Sequence, residues 1–258
     1  MSKNNIKEVE TVLIYHPADN IGDVIYYTGA VRHIRETVDE SARVVMIVSR
    51  SSHKLLSKHY ADLPNFQFTV LDEVNDSNML KLFLMGPFRT VKDRRFFGPF
   101  DKLRLDEYKK VYDEANPPKD MYSLYGIDPN VRFTHFRIVI DDDANSKLYR
   151  RIKTIANMNY NITSKADIIP KHYKKNAMLS LNIDTMFDTT NFFDSFALIK
   201  RTSQIYITTD KEDYFTTMLY YMNKSGVYED HFLKKKILLF AKNGINPFDP
   251  LPESWTLV

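Results

Sequence analysis

The sequence predicts an α/β protein built on parallel, doubly wound sheets, in two halves. Two short runs, TVLIY at 11–15 and RVVMIV at 43–48, are apolar and β-branched at nearly every position. Such runs suit parallel strands covered on both faces. Between them Val24, Tyr27, Val31, Ile34 and Val38 recur at helical spacing. The same alternation returns in the last third of the chain, after a less regular middle. Strand and helix in turn are the pattern of a doubly wound sheet.

Taken in order, residues 11–15 are the first strand and residues 24–38 the first helix. Residues 43–48 are the second strand, and residues 51–60 a helix capped by Ser51 or Ser52. FQFTVL at 66–71 is a third strand. NMLKLFLMG at 78–86 fits either strand or helix. Residues 101–115 read as a helix stopped by Asn116-Pro117-Pro118, and residues 120–125 as a short helix stopped by Gly126. Residues 132–140 read as extended and 142–157 as helical. Strands follow at 177–183, 205–208 and 237–241, with helices at 194–201 and 210–222. The domain boundary is expected near residue 140, giving 1–140 and 141–258.

The bulk numbers bound the function. A chain of 258 residues with 43% hydrophobic content builds a sizeable core. Its net charge of +3 does not mark a dedicated nucleic-acid binder, which shows a concentrated basic face. Without cysteine there is no disulfide, thiolate metal ligand or cysteine nucleophile. The opening MSKNNIKEVE lacks the apolar core of a signal peptide. No run reaches the roughly 18 apolar residues of a membrane span. The expectation is a soluble, cytoplasmic protein without a transmembrane segment; its oligomeric state is left open.

Chemistry is expected where the first strand ends. In doubly wound sheets ligands bind beyond the carboxyl ends of the strands. The turn HPADNIGD presents His16, Asp19 and Asp23 there. It is neither a GxGxxG fingerprint nor a P-loop. A carboxylate in this place can take a proton from a hydroxyl nucleophile. Asp23 can equally sit in the first helical turn, where an acid favours the macrodipole. Spacing alone leaves both roles open.

The stretch NIGDVIYYTGAVRHIRE, residues 20–36, resembles the first strand–loop–helix of the heptosyltransferase-like, family nine glycosyltransferases. These have the GT-B fold, two Rossmann-like α/β/α domains facing across a cleft. Gly22-Asp23 and Ile34-Arg35 stand where that family has its Gly-Asp pair and the Leu/Ile-Arg pair ending the helix. The resemblance implies an inverting, metal-independent transfer of a hexosyl or heptosyl group from a nucleotide-diphosphate sugar to a hydroxyl acceptor. Asp23 would be the base, and no further cofactor is implied. Gly22, without a side chain, would let acceptor or diphosphate come close.

A second stretch, NFFDSFALIKRTSQIYITTD at 191–210, is similar to the donor-binding half of related enzymes. There a hydroxyl pair opens a helix; Thr208-Thr209 match it, with Asp210 next. Hydroxyls and free N–H groups at a helix start suit a diphosphate, although such residues also cap helices routinely. Lys200 or Arg201 stands where relatives carry a ribose-holding glutamate. In DIIPKHYKKN at 167–176, His172, Lys174 and Lys175 can meet phosphate oxygens or form a solvated basic loop. The closing PESWTLV resembles the ends of such proteins and reads as packing.

Other constellations weigh less. His53 and His59 read as helix surface, lacking an acidic partner at metal-ligand spacing. Asp141-Asp142-Asp143 reads as acids opening a helix rather than as a metal site. Arg89, Lys92, Arg94 and Arg95, interleaved with Phe88, Phe96 and Phe97, read as a basic–aromatic loop over 86–98. Such a patch can hold stacked bases and phosphates. It keeps open transfer to a modified base of nucleic acid, while Lys200 or Arg201 in place of the glutamate, with the short chain, keeps open a non-catalytic nucleotide-sugar-binding protein. The acceptor is thus a glycan, a lipid-linked or a nucleic-acid hydroxyl.

Overall fold

The computed structural model describes residues 11–15, 21–72, 94–97, 122, 126–139, 143, 146–148, 150, 160–163, 179–182, 187, 192–196, 199, 204–209, 214–228, 236–241, 248 and 250–258. The chain divides into two compact units, Met1–His135 and Phe136–Val258. Each contains a parallel sheet, and the whole is a mixed α/β protein. No helix among the described residues is long and apolar enough to cross a membrane.

The sheet of the first unit has four strands: β1 (Thr11–Tyr15), β2 (Arg43–Ser49), β3 (Phe66–Leu71) and β4 (Arg94–Phe97). Their order is β3-β2-β1-β4, all pairs parallel. Val12, Leu13, Ile14 and Val44–Val48 are buried, as two-sided cover demands. β3 is only half-buried, with Val70 exposed, in keeping with its place at the end of the order. β4 corrects the sequence reading. Residues 94–97 are not loop; their backbone pairs with Thr11–Ile14.

Helix α1 (Ile21–Thr37) starts three residues earlier than its apolar stripe suggests. It is buried on more than that stripe: Ile25, Tyr26, Thr28, Arg32 and Arg35 are covered as well. Helix α2 (Arg50–His59) follows β2 without a loop. The cap is Ser49 rather than Ser51 or Ser52. The strand's last residue keeps extended backbone, and its hydroxyl accepts the Ser52 N–H at 3.3 Å.

A helical turn, α3 (Val131–Thr134), replaces the extended segment expected from 132. Turn chemistry decides this. The Asp128 carboxylate accepts the Asn130 N–H at 2.9 Å, and the Asp128 carbonyl accepts that of Val131. Gly126 does end a turn: its φ is +66°, and the Ile127 N–H reaches the Tyr122 carbonyl at 2.9 Å. The α3 turn lies directly on α1 at Gly29. A Cβ there would stand 2.5 Å from the Val131 carbonyl oxygen and 2.6 Å from Arg132 Cα. Only a residue without a side chain admits backbone so near.

The second unit orders its strands β6-β5-β7-β8-β9, again all parallel. They are β5 (Tyr160–Thr163), β6 (Leu179–Asn182), β7 (Gln204–Thr209), β8 (Lys236–Ala241) and β9 (Trp255–Leu257). The helix expected at 194–201 begins as a 3-10 turn, Phe192–Ser195. Helix α4 (Tyr214–Ser225) buries Phe215, Met218, Leu219 and Met222. Tyr220, Phe248 and Trp255 pack as one aromatic cluster, Tyr220 and Phe248 stacked with centroids 4.5 Å apart. Entry into this unit is pinned by Tyr228. Its hydroxyl accepts the Ile138 N–H at 2.8 Å and donates to the Ile138 carbonyl at 3.2 Å.

Candidate active site

In the first sheet β1 has β2 on one side and β4 on the other. The chain therefore reverses direction of winding at β1, and a switch point lies at the carboxyl ends of β1 and β4. Helix α1 begins there. Gly22 and Asp23 are both in its first turn and both half-buried. Asp23 is thus a first-turn acid favoured by the helix dipole, and it stands where doubly wound sheets receive ligands. Of the two roles left open by spacing, the helix shows the first-turn one.

The remainder of α1 is bolted down below Asp23. Thr28 donates its hydroxyl proton to the Val24 carbonyl at 2.7 Å, one turn away. With that proton committed, the 2.8 Å contact between Thr28 Oγ1 and His59 Nε2 needs the imidazole as donor. His59 is 2% exposed. It is no surface residue, as its helical position suggested, but a link between α1 and α2. His53 is half-buried, its ring edge-on to Phe68 at 5.4 Å. Tyr60 is buried beside the same threonine, and burial pushes its phenol ionisation far above the ordinary range.

Two arginines of α1 are almost wholly buried, Arg32 at 3% and Arg35 at 4% exposed. Arg32 grips Asp62 through two nitrogens, at 2.9 and 3.1 Å, and the His59 carbonyl at 3.2 Å. Arg35 donates to the carbonyls of Pro64, Asp39 and Glu40 at 2.8, 3.2 and 3.0 Å. The Ile34-Arg35 pair at the helix end is therefore a device of assembly. Its guanidinium ties the turn after α1 to the turn before β3. Reading spacing alone missed both arginines as structural groups. Both stand off the apolar stripe, so periodicity carried no signal of their burial.

At the other end of the chain β7 lies between β5 and β8, while β5 lies between β6 and β7. This gives the second sheet its own switch point, at the carboxyl ends of β5 and β7. Thr208 and Thr209 are the last residues of β7, in register with Phe240 and Ala241. They extend a strand rather than open a helix, as β-branched residues flanked by a parallel partner do. Asp210 lies outside the described residues, as do His16, Asp19, His172, Lys174, Lys175, Lys200 and Arg201. Arg89, Lys92, Asp141 and Asp142 also lie outside, while Asp143 is helical and exposed. Among the described residues no group of three or more His, Asp or Glu side chains gathers as a metal site does.

Two units that each hold a parallel sheet are an arrangement also found in solved structures of glycosyltransferases. The chain is similar in structure to ADP-heptose LPS heptosyltransferase II of E. coli, with a TM-score of 0.50 and 10% identity, over 96% of this chain and 90% of that one. It is similar also to a glycosyl transferase of family 9 from Veillonella parvula, with a TM-score of 0.51 and 9% identity, over 97% and 86% of the two chains. The resemblance read from NIGDVIYYTGAVRHIRE thus holds at the level of the fold. No protein-family model and no curated protein sequence matches the chain.

Proposed function

We propose that the protein is a GT-B glycosyltransferase that moves a sugar from a nucleotide-diphosphate donor to a hydroxyl acceptor with inversion. In this reading the first unit receives the acceptor and the second holds the donor. One observation supports it above the rest: Gly22 and Asp23 open α1 at the switch point of a parallel sheet whose structural neighbours are glycosyltransferases. Asp23 acts as general base. As the acceptor oxygen bonds the anomeric carbon, its proton passes to the Asp23 carboxylate. The bond from that carbon to the diphosphate breaks, and its electron pair leaves on the phosphate oxygen. Fixed donors around the end of β7, with the basic residues near His172, stabilise that leaving charge. The scheme calls on no metal ion.

The donor is found by thermal shift with nucleoside diphosphates and their sugar esters, since a ligand that binds only the folded chain raises the melting point. Transfer is then assayed with Asp23→Asn. Loss of a general base costs roughly 100-fold or more in turnover, in a variant that keeps the wild-type circular dichroism. Near-normal turnover by the folded variant rules Asp23 out as the base. Absence of a shift with every nucleotide removes the donor assignment itself.

A further inference from the structure

The α3 turn meets α1 through a cluster of titratable groups outside the candidate active site. His33 Nδ1 lies 3.4 Å from His135 Nε2, with the rings edge-to-face at 4.8 Å. The same Nε2 lies 3.4 Å from Glu36 Oε2, and Nδ1 of His135 lies 2.8 Å from the Thr134 hydroxyl. Among the described residues the titratable groups facing His33 are His135, from the α3 side, and Glu36, from its own helix.

The carboxylate assigns the protons. Glu36 accepts, so Nε2 of His135 carries its hydrogen, and Nδ1 accepts from Thr134. Nδ1 of His33 must then be the bare acceptor of the contact. One proton added to the pair can be shared across the contact once Nδ1 of His135 donates to Thr134, but a second sets N–H against N–H. That second proton also puts two cations against one carboxylate. Burial, the neighbouring His135 and, in the opposite sense, Glu36 act on His33, and the outcome is a lowered pKa. The contact is therefore compatible with the neutral pair and opposed to the doubly charged one.

We propose that His33 and His135 form a proton-sensitive latch that holds the α3 turn on α1 at neutral pH and releases it in mild acid. His135 is the last residue of the first unit. Release frees the segment that leads into the second. The latch stands independently of the transferase reading, because it needs neither donor nor acceptor.

Amide hydrogen exchange of the full chain at pH 7.5 and 5.5, corrected for intrinsic rates, tests it on peptides covering 127–136. The expected result is a loss of protection of the turn at the lower pH. Peptides of β1 and β2 serve as the control and keep their protection. His33→Phe retains an aromatic edge for His135 but takes no proton, so protection becomes independent of pH. His135→Gln removes the second charge and flattens the response likewise. Equal protection of the wild-type turn at both pH values overturns the latch. So does an acid-induced loss that persists undiminished in both variants.

Discussion

Substituting Gly29 by alanine sets two known effects against each other. In a solvated helix interior this change stabilises by about 0.8–1 kcal/mol, because glycine gives up the most backbone entropy on folding. Gly29 is not solvated. The new Cβ would meet the Val131 carbonyl oxygen at 2.5 Å and Arg132 Cα at 2.6 Å. Both are backbone atoms, which no side-chain rotation can move aside. To recover ordinary contact the α3 turn must lift by roughly 1 Å, which forfeits a large part of its dispersion attraction. Overpacking costs about 1–3 kcal/mol, and a clash against backbone that cannot turn aside takes the upper part of that range, about 2–3 kcal/mol. The clash exceeds the propensity gain, so the variant is less stable by about 1–2 kcal/mol. Spread over a unit of 135 residues, that lowers the melting point by about 4–7 °C. Urea titration monitored by far-UV circular dichroism measures it, with a lowered midpoint and an unchanged slope. A variant as stable as wild type, or more so, would refute the close seating of α3 on α1.

Three further outcomes are expected. Arg35→Met keeps the length of the side chain but strips three carbonyls of a part-buried charged donor; the loss is about 1–3 kcal/mol in the same titration, and a loss under 0.5 kcal/mol would mean that the guanidinium is dispensable. Ser49→Ala removes the α2 cap and lowers stability by about 1 kcal/mol, whereas Ser51→Ala, at the position favoured by the sequence, changes little; equal effects would contradict the assignment of the cap. For His33 the sign follows from its lowered pKa: the unfolded chain binds the proton more readily, so this contribution is complete above the ordinary value of about 6.5 and is lost as pH falls below it. The urea midpoint of wild type therefore drops across that window by more than that of His33→Phe, and parallel curves would exclude the coupling.

Much of the fold was legible because parallel strands buried on both faces leave a plain mark. TVLIY, RVVMIV and FQFTVL are nearly continuous apolar or β-branched runs, and the structure places β1, β2 and β3 there. β4 was hidden because Arg94 and Arg95 read as a basic surface. β5 was hidden because YNIT is short and half polar. The α3 turn was misread because 132–140 read as extended, while Asp128 and Asn130 had already bent the backbone. Of the candidate site, the Gly22-Asp23 pair at the end of a first strand was visible in the residues themselves.

What holds that pair in place was not. Thr28 meets His59 across 31 positions, Arg32 meets Asp62 across 30, and Arg35 meets Pro64 across 29. Each is a bond between groups brought together by the pairing of β1 with β2 and of β2 with β3. By itself the sequence determined the alternation of strand and helix and the acid that opens α1, because those rest on local propensity and periodicity. Only the tertiary structure decided which polar residues of α1 and α2 are buried, and that Gly29 admits a neighbouring backbone, because burial depends on what lies opposite and not on what lies alongside.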